Sequence, residues 1–167
     1  MNNGLQLSVA NNLNNTLQLL DTISDTVYRN ASVGPFYSSI GSHIRHILDF
    51  FDCIFNGLEN QTTIDLTSRK RDVLLATDRN AASAYVSKLQ KKIIQSANTQ
   101  PDLIVKVADD LGQGKIIVNY TFESMLMQAN NHTLHHYASI GYILHQLDCQ
   151  IEIEGFGYNP TTPKVVG

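Results

Sequence analysis

The chain has 167 residues, of which 43% are hydrophobic and 16% are charged, and its formal net charge is −3 at pH 7. A chain of this length buries roughly 70% of the surface that it exposes when unfolded, so we expect a single domain spanning residues 1–167. The hydrophobic content excludes wholesale disorder and fibrous repeats. The slight acidic excess lacks the positive charge with which nucleic-acid binders neutralise phosphates, so nucleic acid is not an expected partner.

The sequence contains no segment that predicts a membrane span. No apolar run approaches the roughly 18 residues that a span needs, and the N-terminus has neither a cationic start nor a signal-type hydrophobic stretch. Cys53 and Cys149 are too far apart in sequence to form a CxxC motif, and we interpret both as small buried apolar residues. We therefore expect a cytoplasmic protein with no membrane partner.

Helical periodicity predicts four helices along the chain. The first two span about residues 5–30 and 36–58, each with apolar residues at steps of three and four. The third spans about residues 79–98, and the fourth spans about residues 122–149. Residues 59–77 lack this periodicity and predict a long connection with about one helical turn.

The segment from Pro101 to Tyr120 changes to an alternation of apolar and polar residues on both sides of a glycine-containing turn, which predicts a β-hairpin. Asp78 and Thr121 are the expected N-caps of the third and fourth helices. Four helices with one long crossover are typical of a four-helix bundle. The predicted fold is therefore all-α, a four-helix bundle with a small β-hairpin between helices three and four.

Five of the six histidines fall in two short clusters, in the sequences GSHIRH and NHTLHH. At about 100° per residue, His136 lies inside the apolar stripe of the fourth helix and His132 lies at its edge. His135 lies outside the stripe, and His145 lies on the opposite face. Because His132 and His136 are stacked about 6 Å apart along the helix axis, both rings can converge on one ion.

The second helix offers two further candidates. His43 faces the predicted core, and His46 lies at the edge of the same apolar arc, so periodicity slightly favours His43 without deciding between them. One of these imidazoles with the pair on the fourth helix would form a three-nitrogen site for zinc, nickel or iron. Since a ligating imidazole must be neutral, metal affinity is expected to fall as the pH drops through about 6.5.

Two groups of polar residues receive a simpler interpretation. The face of the second helix that carries Ser38, Arg45, Asp49 and Asp52 is interpreted as solvated. The basic cluster at residues 69–71 is likewise interpreted as a solvated run of charge. The alternative for this cluster is that it folds over the metal end of the bundle and binds an anionic substrate.

The segments SIGSHIRHILD on the second helix and NHTLHHYASI on the fourth resemble the DinB-like (DinB/YfiT) superfamily, bacterial four-helix bundles with a metal site at one end. The resemblance covers nearly the whole chain. It implies that His46, His132 and His136 bind the metal. Many relatives have an apolar residue at the position of His43. The resemblance therefore implies that His43 either neighbours the ligands without binding the metal or serves as an alternative ligand. Many relatives have a Trp near the start of the second helix, which this chain lacks.

The resemblance implies a divalent metal (zinc, nickel, iron or manganese) and, as in some relatives, a low-molecular-weight thiol. The predicted function is a metal-dependent enzyme, a thiol-dependent transferase or a hydrolase, acting on a small molecule that the sequence does not identify. The alternative is a non-catalytic bundle with structural histidines that serves as an interaction or small-ligand-binding protein. A homodimer is compatible with both hypotheses.

Overall fold

The computed structural model describes residues 4–100 and 102–163, and the described chain is mostly helical. Pro101, with which the predicted hairpin segment begins, and the ends of the predicted 1–167 domain lie outside the described residues. The helices are α1 (Gly4–Asn12), α2 (Asn14–Thr22), α3 (Asp25–Arg29), α4 (Ile40–Glu59), α5 (Val73–Thr77), α6 (Arg79–Gln95) and α7 (Phe122–Gln146), and the strands are β1 (Ile64–Asp65), β2 (Ile104–Asp110) and β3 (Lys115–Thr121).

The predicted first helix is three helices, α1 to α3. The chain between α2 and α3 becomes extended at Ile23, and the Ser24 side chain then accepts a hydrogen bond from the Val27 N–H and caps α3. The apolar spacing was nevertheless informative, because Val9, Leu13 and Ile23 are all buried in the core. The periodicity therefore identified the buried face correctly, whereas the prediction of one continuous helix was wrong.

The helix that carries the first histidine cluster begins later than predicted. Ser39 caps α4 by accepting a hydrogen bond from the Ser42 N–H, so the helix starts at Ile40. The preceding residues form a turn in which Tyr37 has a positive φ of 51°. Phe36, with which the predicted second helix begins, is 86% exposed in this turn.

The later helices agree closely with the prediction. Asp78 caps α6 through the N–H groups of Asn80 and Ala81, and Thr121 caps α7 through the N–H of Ser124. The short helix α5 is the single turn expected in the long connection. Both α1 and α4 pack against α6 and against α7, and the shared interior of these helices forms the hydrophobic core.

The predicted hairpin is confirmed, but it is part of a larger sheet. Strands β2 and β3 pair antiparallel, with Ile104 opposite Thr121 and Asp110 opposite Lys115. The additional strand β1 pairs parallel with β2, with Ile64 opposite Val107. The fold is thus mainly helical with a mixed three-stranded sheet rather than an all-α bundle with a simple hairpin. None of the described helices combines the length and the apolar character that crossing a bilayer would require.

Gly41, in the first turn of α4, provides a test of how closely α4 and α5 pack. A Cβ atom at this position would lie 2.1 Å from the backbone oxygen of Ala76 and 2.9 Å from Cε1 of Tyr28. Because backbone must move to relieve this clash, we expect Gly41→Ala to lower the free energy of unfolding by about 1–3 kcal/mol.

The matched control is Gly141→Ala in α7, where an added Cβ meets nothing within 4 Å. This substitution should raise the free energy of unfolding by about 0.5–1 kcal/mol, because alanine is the better helix former. Urea unfolding of the two variants beside the parent measures both effects. Equal effects of the two substitutions would contradict the close contact at Gly41.

Candidate metal centre

The two histidine clusters meet where α4 packs against α7. Helix α4 contributes His43 and His46, and α7 contributes His132 and His136. The ring centroid of His46 lies 4.8 Å from that of His132 and 4.8 Å from that of His136. The packing of the two helices therefore assembles one cluster of imidazoles from residues that are far apart in sequence.

Three of these rings point nitrogen atoms at a common position. One ring nitrogen from each of His46, His132 and His136 lies within 4.8 Å of the other two. The Nε2 atoms of His132 and His136 are 3.2 Å apart. Among the described residues, these three histidines are the histidine, cysteine or acidic side chains whose ligand atoms lie close enough together to hold a metal ion.

His43 occupies a different position in the cluster. Its Nδ1 lies 2.8 Å from Nδ1 of His136, on the side of the His136 ring that faces away from His132. Its Nε2 lies 2.9 Å from Oγ of Ser38. His43 therefore forms a hydrogen-bonded chain from Ser38 to His136, and it is not among the three nitrogens that converge.

The two histidines that the helical projection directed outward are exposed. His145 and His135 both lie on the solvent side of α7, whereas only 9% of His136 is exposed. The ring of His135 still lies 5.3 Å from the ring of His136. His145 is therefore the cleaner control for substitutions at this site.

Burial keeps the clustered imidazoles uncharged. Desolvation is the main cause that lowers the pKa of His46 and His132 to about 4 and that of His136 to about 3, and the neighbouring histidines lower them further. Desolvation also lowers the pKa of His43. At neutral pH all four rings are therefore neutral, which is the form that offers a lone pair to a metal.

Two side chains outside the histidine clusters complete the surroundings. The Phe50 ring stacks on His132 at a centroid distance of 4.4 Å and fixes the orientation of that imidazole. Arg69 places Nη1 2.8 Å from Nδ1 of His46. The interpretation of residues 69–71 as a solvated run was therefore wrong for Arg69, although Lys70 and Arg71 are exposed.

Asp49 holds the connection that carries Arg69 in place. Only 1% of Asp49 is exposed, and its carboxylate accepts hydrogen bonds from Nη1 of Arg45 at 2.6 Å and from the backbone N–H of Arg71 at 3.1 Å. Asp52, which is partly buried, accepts a hydrogen bond from the Tyr85 hydroxyl. The prediction that this face of α4 is solvated was wrong, because the connection after β1 and helix α6 cover it.

Periodicity did not identify Ser38, Arg69 or Asp49 as neighbours of the site. Ser38 precedes α4, so the helical projection assigned it a direction that it does not have. Arg69 and Asp49 meet the site through contacts between α4 and a segment without helical or strand pattern. The sequence signal for these contacts was the acidic Asp49 on a predicted helix and the basic run at residues 69–71 in the following connection. This signal does not show which acidic residue contacts which residue of the run.

The lowered pKa values predict how the stability of the metal-free protein depends on pH. An unfolded histidine, with a pKa of about 6.5, binds a proton before the folded one does, so the free energy of unfolding should fall as the pH drops from about 6.5 toward 4. Each of the three imidazoles contributes a slope of at most about 1.4 kcal/mol per pH unit, reduced by solvent screening of the part-exposed rings.

Chemical denaturation at a series of pH values measures this slope. His136→Gln should make it shallower, because one titrating group is removed from the folded cluster. His145→Gln should leave it unchanged, because His145 is exposed. A stability that is constant between pH 6.5 and 4.5 would contradict the buried, neutral state of the cluster.

Comparison with known proteins identifies the family of the chain. The family model described as "DinB family" matches residues 1–149, which include all four clustered histidines. No curated protein and no solved structure gives a significant match to the chain. Since the family model covers most of the sequence, the chain belongs to the DinB family.

Proposed function

We propose that this protein binds a divalent metal ion through His46, His132 and His136 and uses it in catalysis on a small molecule. The observation that carries the proposal is the convergence of three neutral imidazole nitrogens from two helices within 4.8 Å of one another. Three nitrogen ligands leave coordination positions open, which is the arrangement typical of catalytic rather than structural sites.

The two donors on α7 have the spacing that such an ion requires. Ligands about 2.05 Å from a tetrahedral zinc ion are about 3.3 Å apart, and the Nε2 atoms of His132 and His136 are separated by 3.2 Å. Imidazole nitrogens suit zinc, nickel and iron, whereas manganese prefers oxygen ligands. The donor chemistry thus favours the first three metals over manganese.

In this proposal His43 supports a ligand and does not bind the metal. When His136 binds through Nε2, its Nδ1 carries the proton and donates it to Nδ1 of His43. His43 then carries its own proton on Nε2, which donates to Oγ of Ser38. A hydrogen bond of this kind fixes the tautomer and the orientation of a metal-binding imidazole.

A divalent ion in a three-nitrogen site supplies Lewis acidity that lowers the pKa of a coordinated water or thiol toward neutral. The residues of the chain hold the ligands neutral and oriented, and Phe50 covers one face of the cluster. These roles suit a hydrolase or a thiol-dependent transferase. The competing hypothesis is a non-catalytic bundle whose histidines only bond to one another, as His132 and His136 do at 3.2 Å.

Three further expectations belong to the same proposal. The contacts of α1 and α4 with α6 and α7 support a four-helix bundle as the scaffold. Cys53 and Cys149 are both free, which supports a reducing cytoplasmic compartment where a low-molecular-weight thiol is available. We also propose that residues 1–167 form a single domain, and a homodimer is compatible with this function.

Calorimetric titration of the metal-free protein with zinc and nickel tests the roles of the histidines. His46→Ala should abolish binding, because it leaves two imidazoles on one helix and no ligand from α4. His43→Ala should weaken binding by about 10- to 100-fold, because His136 loses the acceptor that orients it.

His145→Ala is the control and should bind as the parent does. Comparable and small losses for His43→Ala, His46→Ala and His145→Ala would exclude a site that joins α4 to α7. Failure of the parent protein to bind any of the candidate metals would favour the non-catalytic hypothesis.

The pH dependence of metal affinity separates a buried site from an exposed one. The sequence alone predicts a loss of affinity as the pH falls through about 6.5, but burial lowers the pKa of the ligands to about 3–4. Protons therefore compete for the folded site only at lower pH. We expect the dissociation constant measured with a competing chelator to change little between pH 7.5 and 5.5 and to rise steeply only below about pH 4.

A further inference from the structure

Arg69 is held over the histidine cluster by the backbone of its own segment. On its N-terminal side, the N–H of Leu66 donates to the backbone oxygen of Ala108 in β2. On its C-terminal side, the N–H of Arg71 donates to the buried carboxylate of Asp49. The connection is therefore anchored both to the sheet and to α4, and the Arg69 side chain is directed at His46 between these anchors.

The guanidinium of Arg69 is incompletely satisfied in this position. Its Nε atom is buried and has no hydrogen-bond partner. In the part of the chain that the structure describes, the hydrogen-bond partners of its Nη1 are the ring nitrogens of His46, at 2.8 Å and 3.3 Å. Among the described residues no carboxylate forms an ion pair with Arg69. A partly buried cation without an anionic partner is poorly compensated, so the site can accommodate a negative charge.

Metal binding would increase the need for negative charge at the site. A ring nitrogen of His46 that binds a cation no longer accepts a hydrogen bond from Arg69, and if the other ring nitrogen carries the proton it is itself a donor. Arg69 then loses its partner while a second positive charge enters the cluster. Arg45 is already paired with Asp49, and Asp109 is the carboxylate that acts on His132, so the positive charge outweighs the negative.

We propose that Arg69 recognises a carboxylate of the small-molecule substrate, with one carboxylate oxygen at an open position of the metal and the guanidinium bound to the same carboxylate group. This inference rests on the proposed metal site and adds to it the chemical class of the substrate. The planar guanidinium presents paired N–H donors that match the two oxygens of a carboxylate, which an ammonium group does not. The buried Nε atom of Arg69 thereby gains the acceptor that it lacks.

Acetate binding to the cobalt-loaded protein tests the proposal without any assay of activity. Cobalt(II) replaces the native metal as a spectroscopic probe, because its d–d absorption changes when an anion enters its coordination sphere. We expect acetate to change this spectrum in the parent protein and neutral acetamide to leave it unchanged. Arg69→Gln should raise the acetate dissociation constant by about 10-fold or more, because a charge-assisted hydrogen bond is lost.

Two further variants control this measurement. Arg69→Lys keeps the charge but not the paired donors, so its acetate affinity should lie between those of the parent and Arg69→Gln. Arg71→Gln removes an exposed charge two residues away and should change the acetate affinity by less than twofold. Cobalt affinity itself should be unchanged or higher in Arg69→Gln, because a cation beside His46 has been removed.

The outcomes separate the two proposals. If the parent protein does not take up cobalt, the proposed metal site is wrong and the carboxylate inference fails with it. If cobalt binds normally but the parent and Arg69→Gln bind acetate equally, only the carboxylate inference is overturned. An equal weakening in Arg69→Gln and Arg71→Gln would also overturn it, because it would indicate a general charge effect rather than recognition by Arg69.

Discussion

The interface between α4 and α7 encloses four imidazoles, one buried and three partly buried, that must stay uncharged. A charged ring in this environment would be strongly disfavoured, and burial accordingly lowers the pKa of His43, His46, His132 and His136. The neutral rings still require hydrogen-bond partners, and they find them in one another, in Ser38 and, for His46, in Arg69. The rings are thus held by hydrogen bonds, and one nitrogen from each of His46, His132 and His136 is directed at a common position.

The connection after β1 brings Arg69 to the site and is attached to α4 through the buried carboxylate of Asp49. Asp49 bonds to Arg45 on its own helix and to the backbone of Arg71 in the connection, so it joins a helix to a segment that has no regular structure of its own. Removing one partner would leave the buried Asp49 carboxylate uncompensated, which is costly. The position of Arg69 thus depends on a residue that does not itself contact the histidine nitrogens that converge.

The sequence predicted those parts of the site that depend on helical periodicity. The projection of α7 correctly placed His136 inside, His132 at the edge and His145 outside, and Thr121 was correctly predicted as the cap. The corresponding projection of α4 did not separate the roles of His43 and His46, because their roles depend on how each ring is oriented and not only on the direction in which it leaves the helix. Strand β1 has two residues, too few for any periodicity, and the burial of Asp49 arises from contacts distant in sequence.

The division of the cluster between two distant helices has a consequence for how the protein folds. His43 and His136 are separated by 93 positions in the chain, so no local segment contains the assembled cluster. Closing so long a loop costs entropy that is recovered only when α4 and α7 pack together. A chain in which this contact has not formed offers at most two histidines on either helix. An ion would therefore stabilise the finished fold by mass action and would contribute little to its nucleation.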